Sequence, residues 1–198
     1  MPDPLAPLLA ALARSGAGSS DFDLNPDVVL PKGRRLRPAG VLVPVATWSG
    51  RPQLLLTKRA SHLKHHPGQI AFPGGKQDED DADAVAAALR EAEEEIGLPT
   101  GNVEVLGTLP HHETVTGFTV TPVLGRVKAP FDIRPEPGEV DEVFSVPLDH
   151  VTDPRRFSVQ SRLWMGQRRA YFTVPFGPYY IWGATARILR GLADRLAG

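Results

Sequence analysis

The chain has 198 residues, 41% hydrophobic and 23% charged, an ordinary globular balance for one sizeable domain with short decorations. A formal net charge of −1 excludes a global pull toward nucleic acid or an anionic membrane, so any affinity for phosphate must come from a local cluster. The absence of cysteine excludes disulfides, thiolate metal sites and cysteine nucleophiles, and suits a cytoplasmic protein.

Leu5–Ala13 is apolar, but Asp3 precedes it and no basic run does, so it does not read as a secretory signal. Asp3 as N-cap and Pro4 at the first helical position predict a short amphipathic helix instead. No stretch approaches the roughly 18 apolar residues needed to cross a bilayer. Residues 15–37 are rich in Gly, Ser, Asp and Pro, end in the basic run Lys32-Gly33-Arg34-Arg35, and read as a surface lead-in. This divides the chain into an N-terminal helix and lead-in over 1–38 and a main domain over 39–198.

Residues 39–47 and 52–58 look like strands joined at a Ser49-Gly50 turn, a hairpin pattern. A polar, basic loop covers 60–69, and a strand stub at 70–72 is stopped by Pro73-Gly74-Gly75. The clearest helix spans about 82–96, where Val85, Leu89, Ala92 and Ile96 draw one buried stripe and Gly97 stands at the left-handed C-cap position. Strand-like runs follow at 103–109, 117–127 and 142–147, with a loop of three prolines over 130–138, and a last helix covers 183–196. Strands, helix, strands, helix in that order point to one α+β or mixed α/β domain.

The chemistry concentrates in that middle helix. At about 100° per residue, Glu91 and Glu95 lie about 40° apart and Glu94 about 60° from Glu91, so the three share a face while Glu93 points elsewhere and the apolar stripe points away. Like charges at this spacing repel, and a hard divalent cation such as Mg²⁺, which takes oxygen ligands, would relieve them. The plain alternative is a solvated acidic face. The Phe-Pro-Gly-Gly turn ahead of the helix favours a site, because bare glycine backbone can approach a phosphate closely.

Arg90-Glu91-Ala92-Glu93-Glu94-Glu95-Ile96-Gly97-Leu98 resembles the second half of a Nudix box, whose pattern is G-x5-E-x7-R-E-U-x-E-E-x-G-U with U aliphatic. In the first half the pattern's glutamate falls on Ala82, flanked by Asp81 and Asp83, and the interval from Gly75 to Arg90 is one residue longer. Upstream, Leu55-Leu56-Thr57-Lys58-Arg59-Ala60, Lys64, Gly68 and Phe72-Pro73-Gly74-Gly75 are similar to the motif of the coenzyme A pyrophosphatase branch of Nudix hydrolases, with Lys64 where arginine is usual. Segments 115–123, 139–148 and 181–186 also look like this branch, so the likeness runs from about residue 39 to 190.

The resemblance implies a single Nudix α/β/α sandwich with a mixed sheet. It also implies hydrolysis of the diphosphate bond of coenzyme A or its derivatives to 3′,5′-ADP and 4′-phosphopantetheine, with Mg²⁺ or Mn²⁺. Glu91, Glu95 and Glu94 would be metal ligands, and Arg90 would orient a carboxylate. Lys58, Arg59, Lys64, Gly74 and Gly75 would bind substrate, because a diphosphate with a 3′-phosphate needs cations beyond the metal. Glu94, Glu139 and Glu142 are open candidates for general base. His62, His65 and His66 crowd the same basic loop, where His65-His66 could instead belong to a metal site, His111-His112-Glu113 reads as a polar loop, and Phe172, Phe176, Tyr179, Tyr180 and Trp182 either pack the core, stack on adenine or line a pantetheine channel. The implied partner is a small nucleotide, not nucleic acid or membrane, and a homodimer is compatible with the sequence. The rival readings are a Nudix hydrolase for ADP-ribose, NADH or a dinucleoside polyphosphate, a non-catalytic nucleotide-sensing module, and an acidic protein-interaction face.

Overall fold

The computed structural model describes residues 3–164 and 166–198. The first helix, α1, spans Ala6–Ala13 and begins with Leu5 at its N-cap. Asp3 is not the cap: its carboxylate accepts from the Leu5 N–H at 3.0 Å and closes the turn just ahead of the helix. The lead-in contains a two-residue strand, β1 (Ser19–Ser20), before β2 (Arg37–Ala46) and β3 (Gln53–Arg59).

The predicted hairpin between β2 and β3 is only a fragment, with Val45 opposite Leu54 and Ala46 opposite Gln53. Beyond those pairs the strands diverge, because the segment after the basic loop wedges between them. Its first part, β4 (Ile70–Ala71), pairs with β3 at Thr57 and Lys58, and its second part, β5 (Gly74–Lys76), pairs with β2 at Ala39–Val41. Between the two, the Pro73 carbonyl accepts from the Leu42 N–H at 2.8 Å. Pro73-Gly74-Gly75 is thereby carried into the middle of the sheet.

The remaining sheet strands are β6 (Val103–Thr108), β7 (His112–Glu113), β8 (Phe118–Val127) and β9 (Val140–Pro147). β8 runs parallel to β2 along its whole length, β6 and β7 lie antiparallel to β8, β9 lies antiparallel to β3, and β1 adds parallel to β7. Among the described residues this makes one mixed sheet of nine strands. Its central strands read as unbroken apolar runs because both faces are covered. Leu42, Leu55, Val123 and Val127 face α2 (Ala84–Ile96), while Val43, Val45, Leu54, Leu56 and Leu124 face the layer formed by α1 and the last helix. The single α/β/α sandwich expected from the resemblance is therefore what the chain forms.

α2 starts two residues later than the periodicity predicts, at the point where the Asp83 side chain accepts from the Ala86 N–H at 2.8 Å. It ends at Gly97, whose φ of 71° permits the paired closing bonds Gly97 N–H to Glu93 C=O and Leu98 N–H to Ala92 C=O. The helix lies so close to β2 that a Cβ on Gly40 would run into the Ala84 carbonyl oxygen.

After β9 come α3 (Leu148–Val151), a hairpin of β10 (Ser158–Trp164) and β11 (Gln167–Thr173), and α4 (Gly183–Ala197). The hairpin has no counterpart among the elements read from sequence. The lead-in is stitched to the sandwich by side chains. His112, read as part of a polar loop, is fully buried, with one ring nitrogen 2.9 Å from Ser19 Oγ and the other 3.1 Å from an Asp21 carboxylate oxygen. Asn25 makes a two-point bond with the Ala170 backbone, and Arg34 pairs with Glu113. No described helix is long and apolar enough to cross a membrane.

Candidate active site

α2 presents its carboxylates at graded depths. Glu95 is 4% exposed, so of the three carboxylates that angular spacing puts on one face it is the buried one, not part of a solvated face. Glu91 is half-buried and Glu94 is 60% exposed. The small residues of the glycine turn make room for the buried pair. The Gly74 N–H donates to Glu95 Oε2 at 3.1 Å, and a Cβ on Gly75 would stand 2.5 Å from the Glu91 carboxylate.

Arg90 is fully engaged. It binds Asp81 at two points (Nε at 3.0 Å, Nη2 at 2.9 Å), and its Nη1 reaches both Glu91 and Glu94 at 3.0 Å. Asp81 was noted in the sequence only as a neighbour of the vacant pattern position at Ala82. The structure gives it a partner: it is the first anchor of the arginine, which holds its carboxyl down at about 2. The signal was available in principle, since an acid next to the vacant place can reach the arginine nine residues on. Asp83 serves instead as the helix cap.

The two glutamates after the proline-rich loop part company. The charge of Glu139 helps to raise both Glu91 and Glu95. Glu142, three residues on and across an irregularity in the β3–β9 register, accepts a 2.5 Å bond from the Tyr179 hydroxyl, and the Tyr179 ring stacks on Phe144. The loop that carries Glu139 is tied down. The N–H groups of Arg134 and Glu136 bond the terminal α2 carbonyls of Ile96 and Glu95, and the Glu139 carbonyl accepts from the Ala60 N–H.

Burial pushes the Glu95 carboxyl from its ordinary 4.5 up to about 8; the Glu91 and Glu139 charges add to the push, and the Gly74 N–H and the Arg59 charge oppose it. Glu91 is also raised, chiefly by burial and against the Arg90 bond. Such a pair of oxygen donors suits a hard divalent cation. Among the described residues no three carboxylates or imidazoles converge into a closed cage. A Mg²⁺ ion typically takes one or two protein carboxylates and completes its shell with water and substrate phosphates.

Arg59 sits at the end of β3 beside this cluster, close enough for Glu95 to feel its charge, and makes no ion pair among the described residues. Lys58 is half-buried on β3, and Lys64 is exposed on the 60–69 loop. His66 lies within the influence of Arg59, His65 and Arg162, with Gln69 bonded to its ring, and its burial and these charges lower its pKa. Of the aromatics near the C-terminus, Phe172, Phe176 and Tyr179 pack against the core, while Tyr180 is exposed and Trp182 half-buried.

A family model described as the NUDIX domain matches residues 36–166. The chain belongs to the Nudix family. Proteins from Escherichia coli K12 and Enterobacter sp. strain 638, each named uncharacterized Nudix hydrolase NudL, are 43% and 44% identical over 157 and 165 residues; each match covers 79% of this chain and 81% of the relative. Among solved structures, a Nudix hydrolase from M. smegmatis, RenU, superposes with a TM-score of 0.50 at 26% identity, over 61% of this chain and 83% of that one. Nudix membership accounts for the acidic helix, since enzymes of this family generally act on small nucleotide substrates with a divalent metal. The match also begins one residue ahead of β2 and includes both the basic loop and the glycine turn.

Proposed function

We propose that this Nudix hydrolase cleaves the diphosphate bond of coenzyme A or its derivatives, giving 3′,5′-ADP and 4′-phosphopantetheine. The observation that carries the reading is Arg59, with no ion pair among the described residues, beside the buried Glu95 and half-buried Glu91, in a motif that resembles the coenzyme A branch. A substrate with a second phosphate group needs such a cation in addition to the metal.

In this proposal Glu91 and Glu95 hold Mg²⁺ or Mn²⁺, with Glu94 as an outer third ligand. The bound ion supplies neutralisation of phosphoryl charge and a lowered pKa for water. Asp81 fixes Arg90, and Arg90 fixes Glu91 and Glu94, so the carboxylates are oriented before substrate arrives. Gly74 and Gly75 leave bare backbone against the cluster, and Arg59, Lys58 and Lys64 take the substrate phosphates. Glu139 accepts the proton of the attacking water, since Glu142 is engaged with Tyr179.

Mass spectrometry of the products from coenzyme A with Mg²⁺ and with Mn²⁺ tests the reading. Phosphopantetheine is the expected product, and its absence with both metals refutes the assignment. The 3′-dephospho form should be turned over less efficiently. Faster turnover of ADP-ribose, NADH or a dinucleoside polyphosphate would favour the broader Nudix alternative. In Glu139→Gln, kcat should fall by at least about a hundredfold, whereas Glu142→Gln should stay within about twofold.

A further inference from the structure

On the hairpin side of the site, the Arg162 guanidinium lies 4.2 Å over the Trp182 indole face. The Tyr171 ring tilts against the same indole at 5.1 Å, and its hydroxyl is 3.3 Å from that of Tyr180, which is 45% exposed. Arg162 has no carboxylate partner among the described residues; its contact is the indole. Two tyrosines, a tryptophan and an arginine thus gather at one place, with Arg162 and Tyr180 exposed and Tyr171 and Trp182 half-buried.

The cluster is joined to the acidic helix by a short path. Trp182 is the N-cap of α4, and one turn into that helix the Thr185 hydroxyl donates to the Ile70 carbonyl at 3.1 Å. Ile70 is four residues from Gly74, which bonds Glu95, so the chain between spans no more than about 14 Å. Along this path a Cβ on Gly183, next to Trp182, would stand 3.4 Å from the Gln69 side chain, and the Gln69 carbonyl accepts from the Arg59 N–H at 3.0 Å. The end of β3, which carries Arg59, and the aromatic platform therefore lie on neighbouring segments of chain. That is the arrangement a nucleotide requires, with phosphates at one end and a π-face at the other.

We propose that Arg162, Trp182, Tyr171 and Tyr180 form a stacking subsite for the nucleobase of the substrate's nucleotide half. This rests on the Nudix hydrolase reading above and extends it to base recognition outside the glycine turn and the acidic helix. The planar guanidinium offers its outer face to the base, and the exposed Tyr180 ring flanks it.

The test uses 5′-AMP and ribose 5-phosphate, which contain no diphosphate bond, titrated by calorimetry into the full-length protein with Mg²⁺ present. Wild type should bind 5′-AMP at least about tenfold more tightly than ribose 5-phosphate. Arg162→Ala and Tyr180→Ala, both at exposed positions, should each remove most of that difference and leave ribose 5-phosphate binding unchanged. Arg162→Lys should recover little of it, because charge without a planar face does not stack. Equal wild-type affinities for the two ligands, or an Arg162→Ala variant with its base preference intact, would overturn the subsite. A base preference that persists in a protein inactive on coenzyme A would overturn the substrate assignment and leave the subsite standing.

Discussion

Replacing Glu95 with glutamine should remove activity and, in the metal-free protein, raise stability. Glutamine keeps the acceptor for the Gly74 N–H while removing a charge that the site does not solvate. Raising the carboxyl from 4.5 to about 8 corresponds to about 5 kcal/mol at about 1.4 kcal/mol per pH unit. The folded protein holds the proton more tightly than the unfolded chain, so this stability is fully present below pH 4.5 and is lost as pH rises through about 8. The advantage of Glu95→Gln should therefore grow from about 1 kcal/mol at pH 5 to nearly 5 at pH 9. For a chain of this size that is a Tm difference widening from a few degrees to on the order of 10 °C. Thermal melts of both proteins in chelator across this range check it, with a Mg²⁺ series alongside. Mg²⁺ should stabilise wild type most at alkaline pH and affect the variant little. A Tm difference that is flat or shrinks with pH would refute the argument that burial of the Glu95 charge destabilises the empty site.

Gly75→Ala should cost most of the activity while the fold survives, because the new methyl occupies the place of the Glu91 carboxylate; circular dichroism with steady-state kinetics separates the two effects. Asp81→Asn should lower kcat by about tenfold or more through loss of Arg90 alignment, and Asp81→Glu should restore part of it. His112→Ala should cost about 2–4 kcal/mol by opening a cavity and stranding Asp21 and Ser19, and should speed hydrogen exchange in residues 15–37 ahead of the rest of the chain.

The parts of the fold that sequence made legible are those whose own residues enforce them. α2 carries its cap at Asp83, its stop at Gly97 and an apolar stripe between, and β2, β3 and β8 are apolar enough to be buried on both faces. The β10–β11 hairpin was not legible because Gln160, Arg162, Arg168 and Arg169 interrupt any apolar alternation, and its inner face is covered only in part. β1 and β7 exist through contact with distant chain, which no local pattern announces. At the site, the residue types of the acidic helix were readable, but their depth was not. Angular spacing placed Glu91, Glu94 and Glu95 on one face, and only the close approach of α2 to Gly40 and the glycine turn makes Glu95 the buried member. The choice between Glu139 and Glu142 likewise depends on the register slip near Arg59, which spacing alone does not reveal.

The proline-rich loop has a role that its composition conceals. Its backbone closes the last carbonyls of α2, and at its far end it holds the first residues of the basic loop through the Ala60 N–H to Glu139 C=O bond and the Ser61 N–H to Asp141 carboxylate bond. The segment that presents Glu139 is thus geared at one end to the acidic helix and at the other to the cations that would read the substrate. An insertion or deletion within 130–138 would not be absorbed as slack, as it is in most surface loops. It should displace the Glu139 segment and the start of the basic loop together, and under the proposed function it should shift turnover and substrate choice with them.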